Sequence, residues 1–218
     1  MIREYGFNEF YYIGMAIRWT IALSLIAFAG GTIGGMIIAL MRTADDKRKR
    51  WFATSFIWFF QGTPLLLQLF MVYFGMAIIG FPTNPLTAAA VALTLHASAF
   101  LGEIWRGCIE AVPASQREAA SALAYSYRIR MRHVILPQAA RIAVAPTTGF
   151  LVQLIKATSL TSIIGFTELT RAGQIISNAT FQPFIVISTV AAFYFMLCWP
   201  LSLCAKRLEI RFAQSTRN

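Results

Sequence analysis

Apolar runs long enough to cross a membrane alternate along this chain with short, densely charged stretches. Ala16 to Met41 is apolar or small after Arg18 and ends in a basic cluster. No Asp, Glu, Lys or Arg occurs in the 52 residues from Trp51 to Gly102, nor in the 34 from Ala172 to Ala205. A bilayer core of roughly 30 Å takes about 20 helical residues. The longer run holds two crossings, because GFPTNP (80–85) punctuates it with Gly80, Pro82, Asn84 and Pro85, an uncharged turn. Phe184 to Ala205 reads as another span. Ile142 to Ile155 is a weak candidate, with Pro146, Thr147, Thr148 and Gly149 inside it and Lys156 just after it.

Charge placement resolves the weak segment. The chain has 218 residues, of which 57% are hydrophobic and only 13% charged, with a net charge of +10. In a soluble protein that charge would suggest nucleic acid. Here fifteen of the nineteen Lys and Arg fall in three blocks: Arg42 to Arg50, Arg106 to Arg141, and Lys206 to Arg217. The positive-inside rule places all three in the cytoplasm and makes nucleic acid unnecessary as a partner. Two crossings must then separate the second block from the third, so a span starts near Ile142 and runs past Lys156. The expectation is an all-α integral membrane protein with five spans at about 16–41, 52–79, 86–105, 142–163 and 184–205. Its N-terminus is outside and its C-terminus cytoplasmic, and the chain forms a single membrane domain. Ala27-Phe28-Ala29 resembles a signal-peptidase site, but the apolar run continues past it into the basic cluster, which favours a span.

Several features inside the spans have two readings. Gly30/Gly34 and Gly31/Gly35 form overlapping GxxxG pairs, either a close-approach helix face or ordinary glycine enrichment. Gln61 to Pro64 either unwinds the second span towards a cavity or kinks it for packing. His96 is hydrogen-bonded within the packing or lines a cavity. Lys156 either snorkels to the outer surface or supplies a counter-charge to a pathway. Glu168 and Arg171, at i and i+3, are expected to pair. Cys108, Cys198 and Cys204 have no metal or redox spacing and read as reduced, structural residues.

The segment SQREAASALAYSYRIRMRHVILP (115–137) is charged between two apolar regions. Ser115 and Glu118 have capping-box spacing. Ala119, Ala120, Ala122 and Leu123 favour a short helix, and Ser126 can cap a second one that Pro137 ends or kinks. A topology-fixing loop needs only the charges. Two capped helices with a small-residue face suggest a docking surface as well.

EAASALAYS followed by ILP resembles the EAA loop of binding-protein-dependent ABC importer permeases. QGTPLLLQLF (61–70), EIWRGCIEAVP (103–113), KATSL (156–160) and RLEIR (207–211) resemble the polar amino acid branch of that family. The resemblance implies a transmembrane subunit of an importer, in a bacterial cytoplasmic membrane, whose cytoplasmic loop (about 110–137) docks on a separate ATPase. It implies three partners: a P-loop ATPase that uses the ATP, a second permease subunit, identical or related, and an extracytoplasmic substrate-binding protein. No cofactor is implied in this chain, which lacks GxxxxGK[ST]. The ATPase contact would comprise Ser115, Glu118, Ala119, Ala120, Leu123 and Ala124. The substrate path would involve Gln61, Thr63, Lys156, Thr158 and Ser159. Three positions depart from the family pattern: Ala124 replaces the loop Gly, Gln61 an Arg, and Ala157 an Asp or Asn. Because Ala tolerates positive φ poorly, Ala124 is expected to keep negative φ, with the turn made at Tyr125 and Ser126.

Two other classes are weaker. A membrane enzyme would need catalytic spacing that His96 and His133 lack. A self-contained channel or secondary transporter would not need a docking loop.

Overall fold

The computed structural model describes residues 4–215, with side chains through residue 210. Arg3 and Arg217, and the side chain of Arg211, lie outside the described residues. Among the described residues the chain is helical throughout: α1 (Phe7–Arg42), α2 (Lys47–Gly62), α3 (Leu65–Ile78), α4 (Pro85–Glu110), α5 (Ala114–Ala122), α6 (Tyr127–Arg130), α7 (Leu136–Ala157), α8 (Leu169–Thr180) and α9 (Pro183–Ser215). A π-turn (Met131–Ile135) joins α6 to α7, and a 3₁₀ turn (Thr158–Ser162) follows α7. Four helical stretches are long and apolar enough to cross a membrane: α1, α4, the continuous 127–162 segment, and α9. Counting the bent pair α2 and α3 as one crossing makes five.

The core is organised around the contact of α1 with α4. Four glycines of α1 let the two backbones meet. A Cβ at Gly30 would lie 2.7 Å from Thr94 Cγ2, at Gly31 2.4 Å from Ala97 Cβ, at Gly34 2.2 Å from Ser98 Oγ, and at Gly35 2.8 Å from Leu101 Cβ. Gly102 answers from α4, where a Cβ would lie 2.7 Å from Ile38 Cγ2. The GGTIGG run is therefore a close-approach face. Around this seam Leu23, Ala27, Leu93, Ala97 and Leu101 are fully buried and share one cluster with Leu69 of α3 and Leu154 of α7.

Two local expectations are narrowed and one is corrected. The second span is not one helix: α2 and α3 meet at 102° across Thr63 and Pro64. Pro64 has no N–H to give and holds its predecessor extended, with Thr63 at φ −114, ψ 141. Pro137 does not end the helix before it. Instead the π-turn at 131–135 absorbs its missing N–H, and α6 runs through it into α7. Glu168 and Arg171 do not meet through their side chains. The Glu168 carboxylate caps α8, accepting the Thr170 N–H (2.8 Å) and Arg171 N–H (2.9 Å), and accepts the Tyr194 hydroxyl of α9 at 2.8 Å. The Arg171 guanidinium donates to Gln174 Oε1 at 3.3 Å. Burial pushes the Glu168 carboxyl above its ordinary value, while these donors pull it down. The helix α8 was not anticipated, although its buried Leu169, Ala172, Gly173 and Thr180 follow helical spacing.

The seam makes a signed prediction. Gly31→Ala meets the side chain of Ala97, which has no rotamer to retreat into, and should lower stability by about 1–3 kcal/mol. Gly149→Ala in α7 meets nothing within 4 Å and should raise it by up to about 1 kcal/mol. Thermal unfolding followed by tryptophan fluorescence in detergent distinguishes the two.

Candidate functional site

The break in the second span leaves carbonyls without helical donors, and one buried side chain satisfies them. Gln68 is 3% exposed. Its Nε2 donates to Phe60 O at 2.8 Å, Thr63 O at 3.0 Å and Thr63 Oγ1 at 3.0 Å. With the amide nitrogen turned to these acceptors, Oε1 faces Nδ1 of His96 on α4 at 3.2 Å. Nδ1 then carries a proton and donates it to Oε1. The His96 ring lies 4.5 Å from that of Phe100, which stacks on Phe150 of α7 at 5.7 Å. Thus the bend, α4 and α7 are mechanically continuous. Beside the bend, α2, α3 and α4 enclose a largely apolar groove of about 530 Å³ that includes Phe60, Gln68, Thr83 and Thr87.

Gln68 was not singled out in the sequence, although it lies in the QGTPLLLQLF stretch. The available signal was its position four residues after Pro64, on the first turn of the new helix, where a donor can reach back to the orphaned carbonyls. Of the expected path residues, Gln61 is exposed at the end of α2, and Thr63 spends its hydroxyl on Phe59 O at 2.8 Å. Thr158 is fully buried and donates to Ile155 O at 2.7 Å. Ser159 donates to Lys156 O at 2.7 Å. Lys156 is exposed in the last turn of α7, with no hydrogen-bond or ion-pair partner among the described residues. No hydrogen bond among the described residues joins Gln61 or Thr63 to the Lys156–Ser159 group.

At the charged end, α5 is short, and most of its surface is free. Glu118, Ala119 and Ala122 are exposed, as are Leu123 and Ala124 just beyond it, while Ala120 is buried and faces the protein. The capping box does not form: the helix starts at Ala114 with Pro113 as its N-cap, and Ser115 sits inside the first turn. Pro113 pre-sets the entry, so the Ser oxygen is not needed there. Ser126 does occupy the N-cap of α6, without a side-chain cap bond.

Ala124 is in the left-handed region, φ +55, contrary to the expected negative φ. Two hydrogen bonds hold it there: Tyr125 N–H to Ala120 O at 3.1 Å and Ala124 N–H to Ser121 O at 2.9 Å. This is a Schellman closure. The same pair of bonds closes α3 around Gly80, φ +87, from Phe81 N–H to Met76 O at 2.9 Å and from Gly80 N–H to Ala77 O at 3.1 Å. The turn keeps the conformation that glycine favours and carries an alanine in it.

Polar tethers fix α5 to the spans. The Arg117 guanidinium donates to Ile109 O at the end of α4 at 2.6 Å, Arg130 donates to Ser121 Oγ at 2.8 Å, and Gln138 of α7 reaches Gln116 at 3.4 Å. Nearby, Trp105 Nε1 of α4 donates to Thr147 Oγ1 of α7 at 2.8 Å. A force on α5 therefore acts on α4 and α7 together.

Membrane-length helices, a span broken at a buried amide, and a short exposed helix tethered to two spans define a polytopic membrane protein. The chain belongs to the family described as "Binding-protein-dependent transport system inner membrane component", whose profile matches residues 12–217. It is 36% identical over 216 residues to the probable amino-acid ABC transporter permease protein YckA of Bacillus subtilis, covering 96% of each chain. It is 35% identical over 196 residues to the glutamine transport system permease protein GlnP of Escherichia coli, covering 89% of this chain and 90% of that one. A crystal structure of an amino acid ABC transporter with histidines superimposes with TM-score 0.86 at 33% identity, over 92% of this chain and 94% of the other. An inward-facing methionine ABC transporter, MetNI, shares the fold at TM-score 0.79 and 21% identity, over 94% of this chain and 97% of that one. The chain is thus a permease subunit of a bacterial inner-membrane ABC importer. Subunits of this kind form the translocation path, while ATP hydrolysis belongs to a partner ATPase.

Two substitutions test the local geometry. Ala124→Gly relieves about 1 kcal/mol of left-handed strain, so hydrogen exchange at the Ala124 and Tyr125 amides should slow about fivefold. Gln68→Leu leaves buried carbonyls unsatisfied and should cost about 1–3 kcal/mol, read as a lower midpoint in thermal unfolding.

Proposed function

We propose that this permease carries a polar amino acid or a closely related compound, driven by an ATPase that docks on α5. The observation that carries the reading is the tethered, exposed helix: Glu118, Ala119, Leu123 and Ala124 present a small surface, and Arg117 joins that helix to the end of α4. Ser115 is exposed on the first turn of the same helix, and Ala120 packs it against the protein. ATP-driven closure of an ATPase dimer would move α5 and, through it, α4 and α7, alternating access at the bend. The amino acid class is supported by the relatives named above, which span most of the chain. The working unit pairs this subunit with an identical or related permease, receives substrate from an extracytoplasmic binding protein, and sits in lipid. With α2 and α3 together as one crossing, the basic blocks support a reading with α5 inside and the N-terminus outside.

Among the expected path residues, Gln61 and Lys156 keep polar groups free of backbone duty, and we assign these two to the substrate path. Thr63, Thr158 and Ser159 shape the backbone around it.

The test is ATP-dependent uptake in proteoliposomes containing the permease, its ATPase and its binding protein. Glu118→Arg with Leu123→Asp should abolish uptake and ATPase co-purification while leaving permease folding intact. Normal uptake by that variant, or uptake without any ATPase, would overturn the reading. Lys156→Met removes a charge-assisted contact and should lower uptake about tenfold or more. Unchanged uptake with normal assembly would remove Lys156 from the path.

A further inference from the structure

We propose that the groove between the end of α1 and the π-turn before α7 binds an anionic phospholipid of the cytoplasmic leaflet. The groove holds about 550 Å³, and its lining is of two kinds. Ile37 and Leu40, from the last turns of α1, and Met131, from the π-turn, are apolar. Lys49 at the start of α2, and Arg128 and Arg132 on either side of Met131, are cationic. These three cations are exposed, and none has a protein hydrogen-bond or ion-pair partner among the described residues. The nearby acids Asp45 and Asp46 do not line the groove, and the Asp46 carboxylate accepts the Arg48 N–H at 2.8 Å.

Three unpartnered cations beside an apolar trough fit a ligand that is anionic at one end and apolar along its length. The apolar part continues the outer surface of α1: Ile33 and Ile37, one turn apart, are 68% and 53% exposed. That surface ends at Arg42, the first charge after Arg18. An acyl chain lying along Ile33 and Ile37 therefore brings a headgroup phosphate level with the cations, where the membrane ends. Free phosphate would use the cations and leave the trough empty. An acidic protein surface would have no use for the continuous apolar strip. Basic pockets between spans on the cytoplasmic side are general sites for anionic headgroups. Arg128 and Arg132, four residues apart on the α6–π-turn segment, face one groove.

The test uses the full-length permease in detergent with equal amounts of phosphatidylglycerol and phosphatidylcholine, and native mass spectrometry to read the retained lipid. The combined variant Lys49→Gln, Arg128→Gln, Arg132→Gln should lower the retained phosphatidylglycerol-to-phosphatidylcholine ratio about tenfold. A control with the same charge change, Lys47→Gln, Arg50→Gln, Arg141→Gln, should keep it. Leu40→Ser should lower total retained lipid, and millimolar inorganic phosphate should not displace it. Equal loss in both triple variants would mean diffuse charge attraction and overturn the site. Displacement by inorganic phosphate would assign the groove to a free anion. Unchanged retention with loss of ATPase co-purification would assign the cations to the ATPase. If the triple variant misfolds, Arg132→Gln alone should give a smaller fall in the same ratio, and no fall would overturn the site. Transport plays no part in the readout, so failure here leaves the importer reading untouched.

Discussion

The close approach of α1 to α4 sets the geometry that everything else uses. Lipid is as apolar as leucine, so two spans gain little from hydrophobicity alone and depend on packing contact. Five glycines supply that contact, each facing an atom that a Cβ would strike. The seam fixes α4, and α4 carries three of the attachments: His96 towards the bend, Trp105 towards α7, and the Ile109 carbonyl towards α5. A looser seam would leave the polar contacts intact one by one but would remove their common frame.

On that frame the broken second span is a polar problem solved inside an apolar protein. Opening a helix by 102° within a membrane-length segment exposes carbonyls that lipid cannot satisfy. Gln68 satisfies two of them and passes its own oxygen to His96. The choice of amide is physically apt. It donates twice and accepts without carrying charge, so neither water nor a counter-ion has to enter the bend. The bend reaches α7 through α4 by the Phe100–Phe150 stack, and α5 reaches it through α4 by Trp105–Thr147 and directly by Gln138–Gln116. Motion at either end is felt in the same pair of helices.

Hydrophobic runs and basic blocks made the helical membrane fold readable, because both follow from the bilayer and need no partner. GGTIGG pointed correctly to a close-approach face for the same reason: glycine at i and i+4 is a statement about backbone distance. Where the sequence misled, tertiary hydrogen bonding decided. Ser115 had capping chemistry, but Pro113 started the helix first. Glu168 and Arg171 had pairing distance, but the bare N–H groups of α8 and the Tyr194 hydroxyl were better donors for a buried carboxylate. Gln68 escaped notice because its role exists only once the chain has bent at Pro64.

Ala124 shows how such a conflict is resolved. Intrinsic preference put it at negative φ, by about 1–2 kcal/mol. The closing turn supplies two main-chain hydrogen bonds, worth about 0.5–1.5 kcal/mol each, only if residue 124 is left-handed. The two contributions are comparable, so the outcome depends on what else the turn must do. It must set the exposed Leu123 at the tip of α5 and return the chain to Ser126 so that Arg130 can reach Ser121. An extended Ala124 would forfeit the Ala120 and Ser121 carbonyl bonds and that return together. The strain at one residue is therefore held by the same contacts that tether α5 to the spans.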